Sequence, residues 1–115
     1  EFHDSQVNMC INYGSRDEIL RAARRWAKDC AEHGTDPDSL DAEQFSKLLY
    51  SENVPDPDLI IRPGGETRIS NFLLWQAAYS ELYFTDVMWP DFDERELDRA
   101  IEAYRTRNRR YGGIK

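Results

Sequence analysis

Residues 62–70 combine two arginines, a pair of glycines and a serine, which together can bind an anion. Arg62 and Arg68 are six positions apart, and Ser70 follows two residues later. Guanidinium groups donate paired hydrogen bonds that match phosphate oxygens, and a hydroxyl adds a further donor. This spacing therefore predicts that the segment binds a diphosphate.

A strand and a helix are predicted on either side of this segment. Residues 59–61 form a short apolar run of the type that suits a buried strand. A Pro-Gly-Gly turn follows at residues 63–65, and an apolar helix, buried on most sides, is predicted over residues 71–80. In such a layout, main-chain N–H groups and the positive end of the helix face a bound anion. We therefore expect the main chain of the loop to contribute to the site.

Strands and helices are predicted to alternate along the rest of the chain. Apolar and polar residues alternate over residues 7–13, which is the period of a strand. Ser15 and Glu18 have the spacing of a capping box for a helix that ends at Gly34. The other predicted elements are a strand at residues 82–84, a helix capped by Asp41 and Gln44, and a helix capped by Asp93 and Glu96. This order indicates an α/β fold with a parallel sheet flanked by helices on both faces.

The composition excludes several classes of protein. The chain has 115 residues and a formal net charge of −7, which argues against nucleic-acid binding through a general basic surface. It has no apolar run long enough for a membrane span and no start resembling a signal peptide. Two cysteines, Cys10 and Cys30, fit neither a disulfide framework nor a common metal site, and we expect reduced, buried thiols.

The segment that begins at Arg62 resembles the signature of the cis-prenyltransferases, the undecaprenyl diphosphate synthase-like enzymes. The family pattern is Arg, a few small residues, Gly-Glu, Arg-x-Ser-x-Phe-Leu-x-Trp, and later a glutamate and Trp-Pro-Asp. The matching residues here are Arg62, Gly65-Glu66, Arg68, Ser70, Phe72-Leu73, Trp75, Glu81 and Trp89-Pro90-Asp91.

Both ends of the chain carry further matches. Residues 12–16 resemble the family's Asn-Tyr-Gly-Gly-Arg, and residues 110–112 resemble its closing Arg-x-Gly. The sequence departs from the family pattern at two places: Pro63-Gly64 replaces Thr-Ser or Thr-Gly, and Ser15 replaces a glycine.

The resemblance covers only the C-terminal half of a cis-prenyltransferase. It implies that residues 1–115 are a single partial domain, the C-terminal portion of the cis-prenyltransferase fold. The family's N-terminal half carries a Met-Asp-Gly-Asn loop with the catalytic aspartate, and no Met-Asp-Gly-Asn occurs in this sequence. We therefore expect no catalytic residue in this chain.

The resemblance also implies a function, which is condensation of isopentenyl diphosphate with an allylic diphosphate such as farnesyl diphosphate. The product would be a cis-polyprenyl diphosphate, a precursor lipid for the cell wall. The implied substrate-binding residues are Arg62, Arg68, Ser70, Asn12, Arg110 and Gly112, and the implied Mg²⁺ ligand is Glu81. The implied enzyme is a cytoplasmic homodimer in which Arg110 and Gly112 reach the partner's site, with peripheral membrane contact through its lipid product.

Other interpretations of the same residues remain open. From spacing alone, Arg62 could pair with Glu66 or a nearby aspartate, Ser70 could be a helix cap, and Glu81 could be a solvated carboxylate. A non-catalytic subunit that completes a catalytic partner is the alternative function, and a generic phosphate-binding module is a weaker third. Product length and the preferred primer depend on residues expected upstream.

Overall fold

The chain folds as an α/β arrangement around a two-stranded parallel sheet. The computed structural model describes residues 6–110, with side chains up to Arg107. The strands are β1, Leu59–Arg62, and β2, Glu81–Phe84; the helices are α1, Ser15–His33, α2, Ala42–Ser46, and α3, Glu94–Arg110. Short 3-10 helices cover Pro37–Ser39 and Trp89–Asp91. The predicted fold class and the parallel direction of the strands are confirmed.

The register of the sheet separates its two ends. Leu59 lies opposite Glu81 at one end, and Arg62 lies opposite Phe84 at the other. α3 packs against β2. The sequence predicted a sheet flanked by helices on both faces. Every residue of both strands instead has intermediate exposure, so the described sheet is not buried between two layers of helices.

The strand predicted over residues 7–13 does not form in the described structure. Val7, Met9 and Ile11 are 85%, 78% and 77% exposed. The described sheet contains only β1 and β2, so residues 7–13 have no neighbouring strand to accept and donate main-chain hydrogen bonds. The alternating pattern is correct for a strand, but a strand needs a partner that a local pattern cannot supply.

α1 begins without the predicted capping box. Gly14 is its N-cap residue and provides no side-chain cap. Ser15 and Glu18 are instead buried, with 0% and 1% exposure, and both accept hydrogen bonds from distant parts of the chain. The predicted end of α1 at Gly34 is confirmed: Gly34 has φ 68° and its N–H donates to the Cys30 carbonyl at 3.0 Å.

Residues 71–80 form a series of turns, so the helix predicted there is wrong. Ser70, Asn71 and Leu73 have φ values of 47°, 66° and 51°. Left-handed residues of this kind interrupt a right-handed helix. The predicted burial is also wrong, since the one buried residue of this stretch is the polar Gln76, with 3% exposure.

The two later helices begin where the sequence predicted. Asp41 and Gln44 form both hydrogen bonds of a capping box for α2. The Asp93 Oδ1 accepts from the Glu96 N–H at 3.1 Å at the start of α3. Among the described helices, none combines the length and the apolar character needed to cross a bilayer.

The two cysteines are free thiols, as predicted, but they are not buried. Cys10 is exposed and Cys30 is half-buried. Cys10 belongs to the exposed stretch at residues 7–12, where the missing strand pairing leaves its side chain in solvent.

Candidate functional site

Arg62 is the last residue of β1, at the end of the sheet where open α/β sheets bind ligands. Its Nη1 donates to the main-chain carbonyl of Arg68 at 3.1 Å. This bond folds residues 63–67 back onto the strand end. The structure therefore brings together the two arginines that the sequence analysis selected.

Arg68 carries its guanidinium in solvent beside an acidic partner. Its side chain is 73% exposed, and its Nε lies 3.5 Å from the Oε1 of Glu66. An exposed ion pair of this kind contributes only about 0–1 kcal/mol. An incoming diphosphate can therefore replace Glu66 at little energetic cost. The pairing of Arg62 with Glu66 that the spacing allowed is not present, because Glu66 pairs with Arg68.

The N–H groups of the two loop glycines are already bonded within the protein. The Gly64 N–H donates to the Val87 carbonyl at 2.8 Å, and the Gly65 N–H donates to the Thr85 carbonyl at 2.9 Å. The helix expected after the loop is also replaced by turns. The predicted contributions of the Gly64 and Gly65 N–H groups and of a helix dipole are therefore wrong.

Ser70 is exposed and has a left-handed backbone, with φ 47°. The next residue, Asn71, has φ 66°. A left-handed conformation costs roughly 1–2 kcal/mol for a residue with a side chain, and somewhat less for asparagine. This local structure consequently needs support from elsewhere in the fold.

Asn71 supplies the cap that α1 lacks in its own sequence. Its carbonyl accepts from the Ser15 N–H at 2.8 Å, and its Oδ1 accepts from the Arg16 N–H at 2.9 Å. These N–H groups belong to the first turn, which has no partners within the helix. The sequence analysis did not identify Asn71; the available signal was an asparagine, which tolerates left-handed backbone, directly after the candidate serine.

Glu18 is the centre of a second set of contacts that the sequence analysis did not identify. Its carboxylate accepts from the Tyr13 hydroxyl at 2.5 Å, the Tyr50 N–H at 2.8 Å and the Gln76 Nε2 at 3.3 Å. The pKa of Tyr13 is raised to about 12, mainly by burial and secondly by the hydrogen bond to Glu18. The available signal was Gln76, an amide within an apolar run.

Asn12 lines a cavity to which neither arginine of the candidate site contributes. It is exposed and has φ 54°, and the cavity has a volume of about 630 Å³ and a wall that also includes Tyr13, Phe72 and Leu73. The implied role of Asn12 in substrate binding stays a prediction.

Glu81 is the first residue of β2 and lies at the opposite end of the sheet from Arg62. A separation of three residues corresponds to about 10 Å along a strand. The Glu81 Oε1 is 3.4 Å from the Nη1 of Arg107. Across the described residues, no group of three or more His, Cys, Asp or Glu side chains could hold a metal ion. The implied role of Glu81 as a Mg²⁺ ligand stays a prediction.

The C-terminal candidates cannot be placed in the site. The α3 helix ends at Arg110, whose side chain lies beyond the described side chains, and Gly112 lies outside the described residues. Their implied role across a dimer stays a prediction.

The sequence matches known proteins along most of its length. Residues 1–112 match a family model described as "Putative undecaprenyl diphosphate synthase". An isoprenyl transferase of Fusobacterium nucleatum is 60% identical over 109 residues, which are 95% of this chain and 44% of that protein. A tritrans,polycis-undecaprenyl-diphosphate synthase (geranylgeranyl-diphosphate specific) of Thermoplasma acidophilum is 52% identical over 111 residues, 96% of this chain and 43% of that protein.

The fold has a similar counterpart among solved structures. Lavandulyl diphosphate synthase from Lavandula x intermedia, in complex with dimethylallyl diphosphate, aligns with a TM-score of 0.79 and 40% identity, covering 83% of this chain and 41% of that chain. The chain thus spans less than half the length of each of these three relatives. Since the family match nevertheless covers nearly all of its residues, the chain belongs to the undecaprenyl diphosphate synthase family of prenyltransferases.

Proposed function

We propose that this chain forms the isopentenyl diphosphate side of a cis-prenyltransferase that extends an allylic diphosphate such as farnesyl diphosphate. The observation that carries the proposal is the placement of Arg62 and Arg68 together at the carboxyl end of β1. The 60% identity to an isoprenyl transferase supports it. The name of the Thermoplasma relative specifies geranylgeranyl diphosphate, which supports an allylic diphosphate as the second substrate.

The arginines would hold the diphosphate group by charge-assisted hydrogen bonds. Arg62 is anchored by one Nη1 bond to the Arg68 carbonyl, and its other N–H groups can donate to phosphate oxygens. Arg68 would exchange its weak contact with Glu66 for the more highly charged ligand. The exposed hydroxyl of Ser70 would add a further hydrogen bond.

The reaction itself joins two carbon chains. The C1–O bond of the allylic diphosphate breaks and inorganic diphosphate leaves with the electron pair. The C4 alkene carbon of isopentenyl diphosphate then bonds to C1, and a proton is lost from C2. Residues that hold the unreacting diphosphate of isopentenyl diphosphate act by positioning its alkene. Their removal should therefore raise KM more than it lowers kcat.

We also propose that the enzyme uses Mg²⁺ and that Glu81 contributes a ligand. Bound Mg²⁺ would neutralise diphosphate charge, and this ion is usually held by one or two carboxylates together with phosphate oxygens. Because Glu81 lies at the far end of the sheet from Arg62, any such site must take its other groups from elsewhere. Glu81→Gln should weaken the response of the rate to Mg²⁺, and an unchanged Mg²⁺ dependence would remove Glu81 from the proposal.

The assembly and location form a further part of the proposal. We expect a cytoplasmic homodimer whose active site receives Arg110 and Gly112 from the partner subunit, with peripheral membrane contact through a cell-wall precursor lipid. Light scattering after size-exclusion chromatography measures the subunit number, and flotation with lipid vesicles measures membrane contact. A strictly monomeric active enzyme would contradict the shared site.

Steady-state kinetics of the protein at its full natural length tests the assignment of the arginines. Arg62→Ala and Arg68→Ala should each raise KM for isopentenyl diphosphate about tenfold or more, which corresponds to roughly 1.4 kcal/mol of lost binding. KM for the allylic substrate should stay nearly constant. Arg24→Ala, on the exposed surface of α1, is the matched control. Unchanged kinetics in both site variants would refute the proposed site.

The same assay distinguishes the alternative function. A protein without turnover of its own that raises the activity of a separately purified cis-prenyltransferase would be a non-catalytic subunit. Turnover by the purified protein alone would exclude that role.

A further inference from the structure

We propose that Asn71 is a positioning residue for the diphosphate site and that it acts by fixing the backbone of Ser70 against α1. This inference rests on the proposed function, because it assigns Ser70 to the isopentenyl diphosphate site. Asn71 itself donates to no substrate atom in this proposal. Its role is to hold the neighbouring residue in an orientation that the local sequence does not favour.

The contacts of Asn71 join two parts of the chain that are 55 residues apart. Its carbonyl and its Oδ1 accept from the N–H groups of Ser15 and Arg16 at 2.8 and 2.9 Å. A third bond runs the other way, from the Leu74 N–H to the Ser15 Oγ, at 2.9 Å. These bonds fasten residues 71–74 to the first turn of α1 from both sides.

The backbone of this segment shows why such fastening is needed. Ser70, Asn71 and Leu73 are left-handed, whereas the sequence of residues 71–80 favours a right-handed helix. Strained conformations of this kind persist only when the surrounding structure imposes them. Without the bonds to α1, Ser70 would relax toward right-handed backbone, and its hydroxyl would point away from its present direction.

Gly14 provides an independent constraint on the same contact. A Cβ at position 14 would lie 2.9 Å from the Nδ2 of Asn71, which is shorter than nonbonded contacts allow. The close approach of Asn71 to α1 therefore depends on the absence of a side chain at this residue. Gly14→Ala should displace Asn71 without removing any of its hydrogen-bonding atoms.

Kinetic constants of the full-length enzyme test the inference. Asn71→Ala should raise KM for isopentenyl diphosphate about tenfold and change kcat less than about threefold, as expected for lost ground-state binding. Asn71→Asp keeps the Oδ1 acceptor for Arg16 and should return KM to within about threefold of the wild-type value. Gly14→Ala should raise KM in the same direction as Asn71→Ala, and this milder change keeps the test available if Asn71→Ala does not fold.

Ser46→Ala separates positioning from general loss of stability. Ser46 accepts a hydrogen bond from the Trp75 Nε1 at 2.9 Å, so this variant loosens the same segment away from Ser70. Its Tm should fall while its KM stays at the wild-type value. An equal rise of KM in Ser46→Ala and Asn71→Ala, or a wild-type KM in both Asn71→Ala and Gly14→Ala, would overturn the inference.

Arg62→Ala distinguishes failure of the inference from failure of the proposed function. If Arg62→Ala raises KM for isopentenyl diphosphate and Asn71→Ala does not, only the positioning role is wrong. If Arg62→Ala also leaves KM unchanged, the diphosphate site itself is misplaced.

Discussion

Glu81 and Arg107 form an ion pair between β2 and α3, with 3.4 Å between the Glu81 Oε1 and the Arg107 Nη1. The same Nη1 donates to the Leu82 carbonyl at 2.6 Å. Arg107 thus attaches the C-terminal helix to the sheet through both a side chain and the main chain. The residue implied as a Mg²⁺ ligand is therefore part of a structural contact as well.

Arg107→Ala should lower the free energy of unfolding by about 1 kcal/mol, because a half-exposed, charge-assisted hydrogen bond to a carbonyl is lost. Urea unfolding followed by circular dichroism measures the change. Arg105→Ala is the control on the same helix, since the contact of Arg105 with Glu102 is longer and more exposed. Equal destabilisation by the two variants would show that the contact with Leu82 contributes nothing.

Arg107→Gln should make activation by Mg²⁺ saturate at a lower Mg²⁺ concentration, by roughly threefold, if Glu81 binds the ion. A positive charge beside a carboxylate opposes the binding of a cation there, and its removal lifts that opposition. A Mg²⁺ titration of the initial rate measures the effect. An unchanged titration curve would argue that the Glu81 carboxylate does not contact the metal.

Glu18→Ala should be among the most destabilising single changes in α1, by about 3 kcal/mol, because its buried carboxylate accepts hydrogen bonds from Tyr13, Tyr50 and Gln76. Thermal and urea unfolding measure this loss. Glu32→Ala, at an exposed position of the same helix, should change the free energy of unfolding by less than about 0.5 kcal/mol. Similar effects of the two substitutions would contradict a central role for Glu18.

Alkaline pH should destabilise the fold through Tyr13. Its pKa is raised to about 12, from an ordinary value of 10.0, by burial and by the hydrogen bond to Glu18. A raised pKa in the folded state means that this contribution to stability is complete below pH 10 and is lost as the pH rises toward 12. Between pH 8 and about 11, the free energy of unfolding should fall less steeply with pH in Tyr13→Phe than in the wild-type protein. Identical slopes in both proteins would contradict the assignment.

Gly34→Ala should destabilise α1 by about 1 kcal/mol, because Gly34 ends the helix in a left-handed conformation that alanine adopts at a cost. No atom lies within 4 Å of a Cβ built at this position, so steric overlap does not contribute. Gly34→Asn should lose less, since asparagine tolerates this backbone better. Thermal unfolding of the two variants measures the difference, and a larger loss in Gly34→Asn would contradict the explanation.

Local patterns predicted the elements whose determinants lie within a few residues. The Asp41–Gln44 capping box, the stop at Gly34 and the strand beginning at Leu59 each depend on neighbours along the chain. The family was also identifiable from the sequence, because the order and spacing of motif residues such as Arg62 and Trp75 can be recognised without knowing their contacts. In both cases the information is contained in short stretches of sequence.

The tertiary structure decided the features that depend on distant partners. Asn71 rather than Ser15 caps α1, and Glu18 is buried on a helix face where a local pattern placed a capping residue. The predicted helix at residues 71–80 gave way to turns because hydrogen bonds to α1 hold its first residues in left-handed conformations. No pattern within residues 71–80 contains those partners.

The candidate site shows the same division. Its residue types, Arg62, Arg68 and Ser70, were determined by the sequence alone. The tertiary structure decided that the N–H groups of Gly64 and Gly65 bond to residues 85–87 instead of facing a ligand. It also decided that Glu81 lies at the other end of the sheet from Arg62. Strand register is set by pairing between two segments, so it cannot be deduced from the chemical type of one residue.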